Sequence, residues 1–218
     1  MQTGKSTKPL LILGTGVLAV EIADLASEVP GFRVAGFVEN MDRKRCNETL
    51  EGLPILWVDD IADLARTHWA VCGLATTHRG RFSDQTDAVG MSFATLVHPT
   101  ARVSPTAVLG EGSIVSSGAV IAAQVRLGRH VFVNRGAMVG HHTTIGDFCT
   151  LGPGVNIGGL GRISERVFLG IGAIVVDRIS IGARSVVGAG ALVTKDVPAR
   201  VQVIGAPARI TKRNIDGK

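Results

Sequence analysis

The stretch Val133-Asn134-Arg135-Gly136-Ala137-Met138-Val139-Gly140-His141-His142 holds two aliphatic residues six apart, and that interval decides the fold. Followed in both directions, the same step lands on Val97, Val103, Leu109, Val115, Ile121, Leu127, Val133, Val139, Ile145, Leu151, Ile157, Ile163, Leu169, Val175, Ile181, Val187 and Val193, all aliphatic. Nine of these are followed directly by glycine, and the residue two before is usually small or β-branched, as in Ala119, Ala137, Thr143, Cys149 and Ala173. An α-helix would smear a six-residue period over every face. Short strands joined by tight turns accommodate it. If each hexapeptide makes one side of a triangular coil, eighteen residues close a turn, coils stack at roughly 4.8 Å and the aliphatic residues pile into an interior ladder. The reading is a parallel β-helix over 97–193 with no inserted loop. Glycine after each inward residue is expected to let the corner adopt backbone angles that a Cβ disfavours.

Working outward, the composition agrees. Of 218 residues, 28 are glycine, 45% are hydrophobic, 4% are aromatic and none is tyrosine, which suits repeated tight turns around an aliphatic core. No apolar stretch is long enough to span a bilayer, and Met1–Lys8 lacks the apolar run of a signal peptide, so a cytoplasmic protein without membrane insertion is expected. Cys46, Cys72 and Cys149 show neither metal-ligand spacing nor an even count, so reduced thiols are expected. The net charge of +5 comes from scattered basic residues with few aromatic platforms. That argues against nucleic acid and for small polyanions such as CoA or a nucleotide sugar.

Ahead of the repeat, Leu10–Leu13, then Gly14-Thr15-Gly16 and an apolar-periodic stretch through Val17, Ile22 and Leu25, read as strand, turn and helix. Phe32–Val38 reads as a second strand, with Glu39 and Asn40 at its end. Such a βαβ unit brings a helix N-terminus and a strand-end acid to one crevice, where a phosphate and a ribose could sit. Pro54–Trp57, His68–Ala75 and Ser92–Val97 are further strands, with helices over Val58–Ala65 and Arg79–Asp87. The organisation is a small Rossmann-like α/β domain over 1–96, followed by the β-helix and a C-terminal tail over 97–218. Gly14-x-Gly16-x-x-Ala19 also admits a dinucleotide, but no stretch is left for a hydride-transfer domain.

His141 and His142 fall two and three residues past an inward aliphatic, at a corner, where side chains point away from the packed interior. A neutral imidazole there suits general-base work on an amine or hydroxyl. Cys149 occupies a small position two before Leu151, and burial is expected rather than a nucleophile's role. His130, His141 and His142 lack the separation of the three zinc ligands of a γ-class carbonic anhydrase, and no metal is expected.

His98-Pro99-Thr100-Ala101, the segment Asn134–His141, Lys195-Asp196-Val197-Pro198 and Gly205-Ala206-Pro207-Ala208-Arg209 together resemble the sialic-acid O-acetyltransferase and bacillosamine/perosamine N-acetyltransferase family. The resemblance runs through both domains in order and is stronger after residue 92. It implies a left-handed β-helix, a homotrimer, acetyl-CoA held between neighbouring subunits and a nucleotide-linked sugar on the small domain. By resemblance His141 is the general base, and the N–H of Gly159, eighteen residues on, polarises the thioester oxygen. Asn134 and His142 are sugar-facing candidates, with Gly14, Thr15, Gly16, Glu39 and Asn40 for the nucleotide. Ile171 and Ala189 run along pantetheine, and Lys195 and Pro207 lie at the phosphate and adenine end. Two departures stand out: His142 replaces the acid the family carries after its base, and Gly14-Thr15-Gly16-Val17-Leu18 replaces a Gly-x-Gly-Gly-His turn. The activity implied is N-acetylation of a nucleotide-linked 4-amino sugar, with O-acetylation of a sialic acid or a non-catalytic nucleotide-sugar binder as alternatives.

Overall fold

The computed structural model describes residues 7–218, so most of the stretch 1–8 lies outside the described residues. The chain divides into two compact units: residues up to Ala75 with Arg79–Leu96, and Thr76–His78 with Val97–Lys218.

The first unit runs β1 (Lys8–Leu13), α1 (Val17–Glu28), β2 (Phe32–Glu39), β3 (Thr49–Leu50), β4 (Leu53–Trp57), β5 (Trp69–Cys72), α2 (Gly80–Ala88) and β6 (Ser92–Phe93). The sheet order is β3-β4-β2-β1-β5-β6. It is parallel except for the β3-β4 hairpin, which turns at Glu51-Gly52, both at positive φ (50° and 72°). Leu10 to Leu13 are at most 1% exposed, as a parallel strand covered on both faces must be. Gly73 allows α1 to lie close, since a Cβ there would stand 2.9 Å from the Ala19 Cα. Val58–Leu64 forms a 3-10 helix, burying Val58 and Ile61 at the three-residue spacing that this helix brings onto one side. The expected strand Ser92–Val97 is two strands, Ser92–Phe93, which pairs with β5, and Leu96–Val97.

The second unit is a parallel β-helix with three faces built from two-residue strands. The first face runs through Ile114–Val115, Phe132–Val133 and Thr150–Leu151, the second through Val120–Ile121, Met138–Val139 and Asn156–Ile157, the third through Arg126–Leu127, Thr144–Ile145 and Arg162–Ile163. Every strand pairs with the residue eighteen further on, until the last coil shortens to sixteen, with Val187 opposite Val203. From Val115 to Val193 the inward ladder is at most 4% exposed. Each such side chain contributes about 1.5–3 kcal/mol of burial. Val97, Val103 and Leu109, in the first coil, are only partly buried, having one neighbouring coil instead of two.

The glycines after inward residues serve a different end from the one expected. None of Gly110, Gly128, Gly140, Gly146, Gly152, Gly158, Gly170, Gly182 and Gly188 has positive φ. Each would instead drive a Cβ into the coil above; at Gly140 it would lie 2.5 Å from the Gly158 carbonyl carbon. The left-handed backbone falls two residues later, at every sixth position from Gly112 through Gln124, His130, His142 (φ 58°) and Leu160 to Gly190. Hydroxyls and one thiol at the small positions stitch coil to coil. Thr143 Oγ1 donates to the Gly158 carbonyl at 3.1 Å, Ser113 Oγ to that of Gly128 at 3.0 Å, and Cys149 Sγ to that of Ser164 at 3.0 Å.

Candidate active site

The corner between the second and third faces carries His141, His142 and, one coil on, Gly159. Both histidines are exposed, while Thr143 directly after them is fully buried and accepts the Gly161 N–H at 3.2 Å, pinning the turn. Leu160 N–H donates to the His141 carbonyl at 2.8 Å, so the two coils are locked where the imidazole emerges. The His141 Nδ1 lies 3.1 Å from the His142 Nδ1, the rings nearly perpendicular at 86°. The far edge of the His141 ring covers Gly159: a Cβ on that glycine would stand 2.8 Å from Nε2 and 2.9 Å from Cε1. Gly159 therefore makes room for the imidazole. Its carbonyl accepts the Arg178 N–H at 2.9 Å, while its own N–H donates to no acceptor among the described residues. A basic nitrogen and an uncommitted backbone donor thus share one exposed edge, the pair that acyl transfer requires for a proton and an oxyanion.

Asn134, Ile171 and Ala189 stand together on the next corner, between the first and second faces. Asn134 Oδ1 accepts the Arg135 N–H at 2.7 Å. The N–H groups of Ile171 and Ala189 have no acceptor among the described residues, and Ile171 is 63% exposed. The second face separates this corner from His141, so one chain does not bring Asn134 to the imidazole. That intervening face is apolar: Met138 (43% exposed) and Ile174 (45%) flank Asn156, with Leu160 (41%) at one rim and Ile171 at the other. Lys195 lies further along the His141 corner and, with Arg209, lines a cleft of about 410 Å³ formed by the shortened coil and the terminal hairpin. Pro207 sits in the hairpin turn between Val201–Ile204 and Arg209–Arg213 that closes this cleft.

In the first unit, Gly14, Thr15 and Gly16 at the end of β1 meet Glu39 and Asn40 at the end of β2, because the parallel register sets Leu13 opposite Val38. Gly14 N–H donates to the Val38 carbonyl at 2.8 Å with φ 108°, a conformation that favours glycine. Glu39 is engaged within the crevice itself: Thr15 Oγ1 donates to Oε2 at 2.5 Å, and the N–H groups of Asn40 and Met41 donate to Oε1 at 2.9 and 2.8 Å. Burial pushes this carboxyl up, but the hydrogen bonds from Thr15, Met41, Asn40 and Asp42 outweigh it, and the net shift is downward. Arg45, which sequence reasoning missed, reaches back to the Thr15 hydroxyl and carbonyl and lies 3.9 Å from Glu39 Oε2. Its only sequence signal was the Arg43-Lys44-Arg45 run just after the strand. Asn40 Nδ2 donates to Gln85 Oε1 at 2.6 Å. Helix α1 starts at Gly16 without a side-chain cap or an acid in its first turn, leaving its positive end open to an anion.

Comparison with known proteins places both units. The pattern of the bacterial transferase hexapeptide family, six repeats, matches residues 124–159. A variant of perosamine N-acetyltransferase from Caulobacter crescentus, in complex with CoA and GDP-perosamine, is 31% identical with a TM-score of 0.86, over 94% of this chain and 97% of that one. The chain belongs to the hexapeptide-repeat sugar acyltransferases. Its β-helix accordingly winds left-handed. The acetyltransferase domain of PglB from Neisseria gonorrhoeae, in complex with acetyl coenzyme A, is 26% identical with a TM-score of 0.86, over 94% of this chain and all (100%) of that one. A galactoside O-acetyltransferase from Lactococcus lactis is 47% identical over 51 residues, and the chain spans about a quarter (25%) of that curated relative's length.

As a member of this family the protein uses Cys149 for structure: it is fully buried between coils. His130 is also buried, stacked on Phe148 at 5.0 Å. Among the described residues no group of three or more His, Cys, Asp or Glu could hold a metal ion, and no helix is long and apolar enough to cross a membrane.

Proposed function

We propose that this protein transfers the acetyl group of acetyl-CoA to the amine of a nucleotide-linked 4-amino sugar, with His141 as general base. The observation that carries the reading is the 31% identity, through both units, to a perosamine N-acetyltransferase seen with CoA and GDP-perosamine. The sugar amine attacks the thioester carbon, and its proton passes to His141 Nε2 as the N–C bond forms. The Gly159 N–H faces the resulting oxyanion. Collapse breaks the C–S bond, and the thiolate of CoA leaves with the proton His141 returns. No acyl-enzyme forms.

Residues 1–96 hold the nucleotide in this reading, with the open start of α1 at Gly16 toward the diphosphate and the Thr15–Glu39–Arg45 cluster shaping the crevice. Residues 97–218 hold acetyl-CoA, with the N–H groups of Ile171 and Ala189 along pantetheine and Lys195, beside the Pro207 turn, at its phosphates. A homotrimer completes the site: the exposed apolar second face suits a neighbouring copy, which brings an Asn134 corner to the sugar on a His141 corner. Acetyl-CoA as donor goes with a cytoplasmic reaction. Transfer to a sugar hydroxyl is the second reading, favoured by the local likeness to a galactoside O-acetyltransferase.

The test is acetyl-CoA-dependent thiol release against UDP-, GDP- and dTDP-linked 4-amino sugars beside their hydroxy counterparts. Turnover on an amine is expected; turnover on hydroxyls alone replaces the first reading by the second. His141→Ala is expected to cut turnover by about 10²-fold or more while acetyl-CoA binding survives. Unchanged turnover removes His141 as the base.

A further inference from the structure

We propose that His142 is the positioning residue of this base: its Nδ1 accepts the proton that His141 carries on Nδ1, which leaves Nε2 of His141 bare above Gly159. The assignment of His141 as base comes from the proposed function, but the hydrogen bond stands on geometry alone. Two ring nitrogens of the same kind, 3.1 Å apart, can be joined only if one is protonated and the other is not. A single proton therefore lies between them, and its side decides the state of the site. If His142 donated, a neutral His141 would carry its own proton on Nε2, the edge that covers Gly159, and could accept nothing there. If His141 donates, Nε2 is free at the edge it shares with the uncommitted Gly159 N–H.

The backbone holds the acceptor in place. His142 occupies the left-handed corner conformation at φ 58°, and its N–H donates to the Ala123 carbonyl at 2.9 Å, one coil below. The perpendicular packing of the rings, with centroids 5.2 Å apart, fixes the direction from which His141 is approached. When His141 takes a proton on Nε2 during transfer, its Nδ1–H continues to donate to His142, so the hydrogen bond becomes charge-assisted as the imidazolium forms. The pair then works as a unit, His142 choosing the tautomer and the ring angle of its neighbour.

The fold itself supplies suitable variants. Leu160 holds the same corner position one coil on at φ 61°, so the backbone accepts leucine there, and asparagine tolerates this conformation while setting Oδ1 where His142 carries Nδ1. The experiment measures histidine side-chain nitrogen shifts by NMR on the full-length, ¹⁵N-histidine-labelled protein, with His141→Ala to assign the signals. Kinetics with acetyl-CoA and the best acceptor sugar are followed alongside, for wild type, His142→Asn and His142→Leu. His141 is expected as the Nδ1–H tautomer in wild type and in the Asn variant, and to lose that preference in the Leu variant. Turnover is expected to fall about 10-fold or more in the Leu variant at unchanged KM for acetyl-CoA, and to stay within about threefold in the Asn variant.

A wild-type His141 carrying its proton on Nε2 overturns the proposal, as does a Leu variant with wild-type turnover. If no sugar is acetylated at all but the Nδ1–H tautomer is present and lost with leucine, the reading of the reaction fails while the histidine pair stands.

Discussion

Replacing Gly159 by alanine separates the chemistry of this corner from its stability. The glycine has no left-handed φ, so alanine suits the local backbone, but the new methyl would stand 2.8 Å from His141 Nε2 and 2.9 Å from Cε1. Ordinary carbon–nitrogen contact needs about 3.5 Å, so the ring must swing away by about 0.6–0.7 Å at its reacting edge. Because the ring is exposed, it can do so at small cost to folding, and a melting temperature within about 2 °C of wild type is expected. The proton acceptor, however, is displaced, and misplacement of about 1 Å costs on the order of 10²-fold in rate. Steady-state thiol release should therefore show kcat lowered by about 10- to 10²-fold, with acetyl-CoA binding by calorimetry retained. The matched control is Gly140→Ala, whose methyl would meet the Gly158 backbone at 2.5 Å with no side chain able to yield. Overpacking there is expected to cost about 1–3 kcal/mol of stability, with a corresponding drop in melting temperature. A Gly159→Ala protein with turnover within threefold of wild type, or one that loses stability like the control, would refute the reasoning.

Two further outcomes follow from the geometry. Glu39 has a folded-state pKa below its ordinary value of 4.5, so its ionised form stabilises the fold fully above that value, and the contribution is lost as pH falls through the depressed one. Thermal melts of wild type and Glu39→Gln should accordingly differ at pH 7 and converge in the acid range below pH 4.5; a gap that persists or widens at pH 3 contradicts the assigned hydrogen bonds. Sedimentation of the full-length protein is expected to give a trimer, and Met138→Glu with Ile174→Glu on the exposed second face should shift it to smaller species and abolish turnover; a wild-type monomer would remove the intersubunit site.

The six-residue interval settled much of this molecule in advance. A hexapeptide period makes contacts between residues eighteen apart unavoidable, so Val133 over Leu151, and His141 beneath Gly159, follow from counting. Burial of Cys149 and exposure of the two histidines follow from their offsets to Leu151 and Val139. The meeting of Gly14–Gly16 with Glu39 and Asn40 was equally legible, because parallel strands joined through one helix end at the same edge. What counting could not assign was the work of each glycine. The close approach at Gly140 and the left-handed turn at His142 lie two residues apart in the same repeat, and only the coil-to-coil distance tells them apart. Nor could it find Arg45, which reaches Thr15 across thirty residues by no periodic rule.

The chain's order of residues thus determined the coil, its core and the corner on which the imidazoles stand, since a one-dimensional repeat stacks only on itself. Tertiary structure alone decided that His141 Nδ1 meets His142 and that its Nε2 edge covers Gly159. It also decided that Asn134 lies across an apolar face from both. Those relations depend on side-chain torsions and on the width of a face, which a pattern of residue types does not encode.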